Sequence, residues 1–288
     1  MKTNDALCLI LKQLERIADS LDQHGVVPPT DWSAANSFRL QHRAHAKPRL
    51  IPVLTTTQTE LNHLKNISVQ MNKVVQNTEQ FLKGSPANHV LLTGARGTGK
   101  SSLVRALLNR YHQQGLRLIE LSKPCLIYLQ DVVELLQGRS EKYILFCDDL
   151  SFNDNESEYK CLKSVLEGSV SGFSSHVLVY ATSNRRHLLP QFMSENLSHQ
   201  IRDSGEIDPS EASEEKISLS DRFGIWVSFH PFSQQDYLAV VQSWFDYYGL
   251  TLSEQAKKMS LRWVIERGHR SGRLALQFTK FWMSQTSI

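Results

Sequence analysis

The segment VLLTGARGTGKSSLV, residues 90–104, constrains the chain more than any other stretch. Three of the 14 glycines, Gly94, Gly97 and Gly99, fall within six positions, between a short apolar run and an amphipathic one. Glycine weakens any helix or strand it occupies, so this cluster needs a chemical reason. Gly94, Gly99, Lys100 and Ser101 fit G-x-x-x-x-G-K-[ST], the phosphate-binding loop. Triphosphate oxygens need many donors at short range. Backbone N–H groups supply them where no side chain intervenes, and a helix N-terminus adds a favourable dipole. The expected cradle is Gly94, Ala95, Arg96, Gly97, Thr98, Gly99, Lys100, Ser101 and Ser102. Lys100 would reach the β- and γ-phosphates, and the Ser101 hydroxyl would bind Mg²⁺.

A phosphate loop between strand and helix implies an α/β sheet, and the following sequence agrees. Strand-like runs occupy 89–93, 116–121, 143–148, 176–182 and 225–229, with helix-like runs at about 100–113, 125–137, 157–167 and 186–193. Near-continuous apolar strands separated by helices predict a parallel sheet covered on both faces. After Pro231 the pattern is helical, at about 234–248, 253–267 and 273–284. Before the core, Leu7, Ile10, Leu11, Leu14, Ile17 and Leu21 mark one face of an amphipathic helix. Residues 26–50, with Pro28, Pro29 and Pro48, read as irregular and carry a basic stretch of Arg39, Arg43, Lys47 and Arg49. A helical pattern resumes around Leu61, Leu64 and Ile67 and breaks at Gly84–Pro86. The expectation is α/β: a parallel sheet of these strand-like runs sandwiched by helices over 77–231, an N-terminal helical extension over 1–76 and a small C-terminal helical bundle over 232–288.

Three further places carry candidate chemistry. YILFCDDL ends a buried strand with Asp148 and Asp149. The first acid would hold Mg²⁺ through its water shell, and the second would orient the attacking water. YATSN sets Asn184 at the end of the next strand, where it would hold that water or sense the γ-phosphate. Arg222 in SDRFG and Arg273 in GHRSGRL could each stabilise charge on a transferring phosphoryl group.

Composition sets the remaining bounds. The four cysteines, Cys8, Cys125, Cys147 and Cys161, show neither metal-site nor redox-motif spacing, which reads as a reduced, cytoplasmic protein. The first apolar run, Ala6–Leu11, is too short to span a bilayer, and no membrane partner is expected. The net charge of +3 conceals an acidic stretch: residues 195–215 hold seven acids against Arg202, and 194–219 reads as a mobile insertion. The remainder is basic enough to leave nucleic acid open as a partner, with Arg185, Arg186 and the 39–49 cluster as candidates.

In this order the motifs resemble those of the AAA+ ATPase superfamily over about residues 77–285. NTEQFLKGSPANHVLLTGARGTGKSS, FCDDLSF and YATSNRRHL are similar to an uncharacterised group of AAA+ proteins known only as a domain-of-unknown-function family. The resemblance implies a five-stranded parallel sheet with an added helical lid, ATP and Mg²⁺ as ligands, a homo-oligomer with ATP at its seams, and an unknown protein client to be remodelled. It makes Gly94 to Ser101 the Walker A loop, Asp148 and Asp149 Walker B, Asn184 sensor 1, Arg222 an arginine finger acting in trans, and Arg273 the sensor 2 residue. One departure stands out. Where the superfamily usually has Glu, this chain has Asp149, which implies slow hydrolysis or help from Glu156 or Glu158. A slow nucleotide-gated switch or loader is therefore the alternative to a motor, and a small-molecule phosphotransferase a more distant third.

Overall fold

The computed structural model describes residues 30–41, 48–54, 59–152, 156–167, 175–185, 188, 200–201, 207–208 and 219–286. Its centre is one sheet in the order β2-β1-β4-β5-β6-β3-β9. The strands are β1 (Ser37–Gln41), β2 (Arg49–Val53), β3 (Val90–Gly94), β4 (Leu116–Leu121), β5 (Lys142–Cys147), β6 (Val177–Ser183) and β9 (Ile225–Phe229). All neighbours are parallel except β1 and β2. The expected five-stranded parallel sheet is β4-β5-β6-β3-β9. In its central strands successive residues alternate between two cores, as a two-residue period requires. Leu91, Leu145, Val179 and Ala181 face one side with α3 (Leu129–Leu135) and α4 (Ser157–Leu166). Val90, Leu92, Ile144, Phe146 and Tyr180 face the other with α1 (Ser68–Leu82) and α2 (Lys100–Tyr111). All seven residues of β6 are buried.

The segment 26–50 departs from its irregular reading. Ser37–Gln41 and Arg49–Val53 pair antiparallel, and β1 lies parallel to β4, so the sheet has seven strands. Phe38 and Leu40 are buried, whereas Arg39 between them is exposed. Arg39 reaches Glu120, and Arg49 donates to Gln41. Those charges mask the alternation that marks a strand. The helical pattern around Leu61 also resolves differently. Leu61–His63 is a 3₁₀ turn, Asn66 sits at φ 62, and the α-helix starts only at Ser68. Likewise 125–137 divides into a 3₁₀ segment, Lys123–Tyr128, and the short α3.

The lid is three helices, α5 (Gln234–Tyr247), α6 (Glu254–Ile265) and α7 (Gly272–Thr286). They enclose their own core of Tyr237, Val241, Phe245, Val264 and Phe278. Ser233 and Asp236 form a reciprocal capping box at the start of α5, and Ser253 caps α6. The expected helix over 7–21 and all but Leu188 of 186–193 lie outside the described residues. So does most of 194–219, where β7 (Gln200–Ile201) pairs antiparallel with β8 (Ile207–Asp208).

Candidate functional site

The glycine loop turns from β3 into α2 at the C-terminal ends of the parallel strands, and each glycine there answers a different steric demand. Gly94, at φ 126, lies where a Cβ would stand 1.9 Å from the Phe229 carbonyl oxygen, so only glycine lets β3 stay paired with β9. Gly97, at φ 73, faces Ser271 of the lid, whose Cβ would be 2.4 Å from an added one. Gly99, at φ 100, is the left-handed residue from which α2 starts.

Lys100 is buried, and its Nζ donates to Gly94 O at 2.6 Å, Ala95 O at 2.7 Å and Asn184 Oδ1 at 3.0 Å. Burial pushes its pKa below the usual lysine range, and Asp149 and Asp148 pull it partly back. Asn184 donates from its other side to Asp149, so one amide links the lysine to the second acid. Asp149 also lies 3.6 Å from Arg96 and has φ 55. Asp148 Oδ1 accepts from Ser101 Oγ at 2.5 Å and from Thr182 Oγ1 at 2.6 Å. Thr182 accepts in turn from the Asp149 N–H at 2.8 Å, while its carbonyl takes the Leu150 N–H at 2.7 Å. The chain reversal after β5 is thus fastened to β6.

These groups line one cavity of about 600 Å³, with polar residues at the loop and an apolar end formed by Leu64, Ile67, Phe232, Val240, Trp244 and Leu276. The N-terminus of α7 closes one side. Ser271 caps it through the Leu274 N–H at 3.2 Å, and the Gly272 N–H donates to Gly97 O at 2.8 Å. Lid and phosphate loop therefore share a direct hydrogen bond.

The structure brings Arg96, Gly97, Thr98, Gly99, Lys100, Ser101, Ser102, Asp148, Asp149, Asn184 and Arg273 to this cavity. Gly94 and Ala95 lie just behind, their carbonyls on Lys100. Arg222 stands apart. It precedes β9, at the opposite end of the parallel sheet, and its Nε donates to Glu167 at 2.9 Å. Glu156 pairs with Lys123, and neither it nor Glu158 lines the cavity.

Sequence reading missed Thr182, Arg105 and the strap 59–67. Thr182 is two residues before Asn184, so strand alternation alone could have found it. Arg105 follows Ser101 by four, one helical turn. The strap's apolar spacing reads as helix, and nothing local marks it as part of a site. Its placement depends on distant partners: Thr59 O accepts from Asn109, and Asn66 donates to Asp236 O of the lid.

The oxygens fit a magnesium ion. A hydroxyl and a carboxylate converge at Ser101 and Asp148, and the described residues hold no group of three or more His, Cys, Asp or Glu suited to a metal. One carboxylate with substrate phosphates is how Mg²⁺ is commonly held, whereas a zinc or calcium cage needs more protein ligands. Among the described residues no helix is long and apolar enough to cross a membrane.

Solved structures share this fold. The chain is similar to Thermotoga maritima RuvB, a Holliday junction branch migration motor, at 19% identity and TM-score 0.50, over 77% of this chain and 63% of that one. It resembles Aeropyrum pernix ORC1 in complex with DNA at 14% identity and TM-score 0.52, over 73% and 57%. It resembles the replication initiator DnaA bound to AMPPCP and single-stranded DNA at 16% identity and TM-score 0.52, over 80% and 66%. The chain thus spans under two thirds of the length of each. All three are AAA+ proteins, and the fold is the AAA+ fold. No curated protein matches the chain in sequence. The family described as "Protein of unknown function (DUF815)" matches residues 33–286, nearly the whole described core and lid, and this chain belongs to it.

Proposed function

We propose that the chain binds Mg²⁺–ATP in this cavity and hydrolyses it as one subunit of a homo-oligomer. The observation that carries the reading is Lys100, buried at the bottom of a glycine-lined hollow beside the Ser101–Asp148 pair. Its three present acceptors are neutral oxygens, and a triphosphate would offer charged ones in their place. Backbone N–H groups of the loop would hold the phosphates, and the apolar end would take the base. Ser101 and Asp148 would hold Mg²⁺, which supplies charge neutralisation on the phosphates. Asp149 would accept a proton from water held with Asn184. Arg273 would reach the phosphates from the lid, and Arg222 would serve a neighbour's cavity, its own being at the other end of the sheet.

Complementation tests this arrangement. Lys100→Ala and Arg222→Ala should each abolish most ATP hydrolysis. A mixture should regain part of it, because intact cavities then meet intact arginines across the seam. No recovery at any ratio would remove the trans role of Arg222.

One observation favours a slower device. One oxygen of Asp149 accepts from Asn184, and the other lies 3.6 Å from the exposed Arg96. The second reading is a nucleotide-gated switch with turnover below about 1 s⁻¹. Asp149→Glu should then raise kcat, by up to about 10²-fold if reach is the fault. An unchanged or lower kcat would count against reach as the limit. As client, DNA has support from the similar structures solved with it and from exposed lid cations such as Lys258, Arg262 and Arg270. Binding whose affinity falls steeply with salt would support DNA, and a flat dependence would remove it.

A further inference from the structure

We infer that Arg105 is a positioning residue that occupies the metal-binding carboxylate while the nucleotide is absent and yields it when the cation arrives. The inference rests on the Mg²⁺–ATP reading of the cavity. Arg105 lies on α2 one turn beyond Ser101, lines the cavity, and places its guanidinium 5.6 Å from the centre of the Phe146 ring. Its Nη2 stands 3.4 Å from Asp148 Oδ2, the oxygen that Ser101 and Thr182 leave open. The same Nη2 and the neighbouring Nε each lie 3.3 Å from Glu120 Oε1. Glu120 Oε2 in turn accepts from Arg39 at 3.2 Å.

The result is a row of alternating charge, Arg39, Glu120, Arg105 and Asp148, running from the added strand β1 to the metal carboxylate. Two features of the row give Arg105 its role. Asp148 is partly open to solvent, and its Oδ2 is the oxygen that the Arg105 guanidinium occupies. A divalent ion and a guanidinium repel each other when they compete for the same oxygen. Arg105 has somewhere to go, because two of its nitrogens already rest on Glu120. A small turn of the guanidinium breaks the Asp148 contact and keeps the Glu120 one.

Metal uptake is thereby coupled to nucleotide uptake. Without phosphates, Arg105 neutralises Asp148 and the site holds free divalent ions poorly. With them, the added negative charge outweighs Arg105 and the ion binds. Glu120 sets the balance by holding Arg105 back.

Mn²⁺ alone, titrated into nucleotide-free protein and followed by the paramagnetic signal of the free ion, tests this without any turnover. Arg105→Gln should tighten Mn²⁺ binding roughly tenfold, as expected for removing one adjacent charge, and Asp148→Asn should abolish the gain. Arg105→Lys, which keeps the charge, should stay within about threefold of the parent. Glu120→Gln should weaken Mn²⁺ binding in the parent and do nothing in the Arg105→Gln background, which separates release of Arg105 from loss of a negative charge. Unchanged Mn²⁺ affinity in Arg105→Gln, or an equal effect of Glu120→Gln in both backgrounds, would overturn the inference. If Arg105→Gln does not fold, Glu120→Gln decides alone: tighter or equal Mn²⁺ binding overturns the inference. ATP binding by the parent in EDTA, run in parallel, reports on the nucleotide reading separately.

Discussion

At the scale of single residues the cavity is built from exclusions as much as from contacts. Gly97 has no room for a side chain because the lid stands against it. Gly97→Ala should combine a left-handed backbone with a clash against Ser271, and roughly 2–4 kcal/mol should be lost in urea denaturation. Thr182 is the opposite case, a hydroxyl that joins Asp148, the Asp149 N–H and the strand. Thr182→Val keeps the shape and strands a backbone donor, so about 1–3 kcal/mol should disappear, and nucleotide affinity should fall more with Mg²⁺ than in EDTA. His89 gives the fold a pH dependence. Burial pushes its pKa from 6.5 down to about 4, and its Nδ1 accepts from the Val179 N–H at 3.0 Å. The unfolded chain therefore takes up this proton first as pH falls. Stability is flat above pH 6.5 on this account and declines from there towards pH 4, by at most about 3 kcal/mol. His89→Gln should flatten that limb in denaturant titrations at pH 7 and pH 5, and an equal decline in both proteins would assign it to other groups.

At the scale of elements, what could be read from sequence follows how each element is buried. Strands β3, β4, β5, β6 and β9 are covered on both faces or nearly so, and their apolar runs announced them. Strands β1 and β2 have one face towards charged neighbours, and their partners lie far along the chain: Arg39 meets Glu120 81 residues on. No local window contains that pairing. The start of α1 was blurred for a related reason, since Asn66 takes a positive φ while holding the lid carbonyl of Asp236. Helix α1 is then anchored by polar groups that its periodicity does not reveal. The buried Tyr180 hydroxyl meets Asn77 Nδ2 at 3.0 Å and Thr78 Oγ1 at 2.9 Å, and Asn77 also clasps both backbone groups of Asn88. Tyr180→Phe leaves Asn77 and Thr78 with other partners, so thermal or chemical melting should register only about 1–2 kcal/mol. A loss several times larger would mean that the hydroxyl carries the docking of α1 by itself.

At the scale of the whole molecule, the chain joins a rigid parallel sheet to a helical lid with its own core, and the cavity occupies their seam. The polar end of the cavity was legible in the sequence because its residues are consecutive or end consecutive strands. The apolar end was not, because Leu64, Trp244 and Leu276 come from three remote segments that only folding assembles. The seam also explains how occupancy would reach the lid. Gly97 lies in the phosphate loop and its carbonyl holds the first N–H of α7 at 2.8 Å, so a loop that reshapes around phosphates must carry that helix or release it. All of this depends on the hollow above Lys100 being a triphosphate site. Isothermal titration of the purified chain with ATP and magnesium tests that most directly, with Lys100→Ala measured beside it. Saturable binding by the parent at one site per chain is expected, with a loss of at least about tenfold in the variant, the scale of one charge-assisted contact. No heat of binding in the parent, or equal affinity in the two proteins, would contradict it.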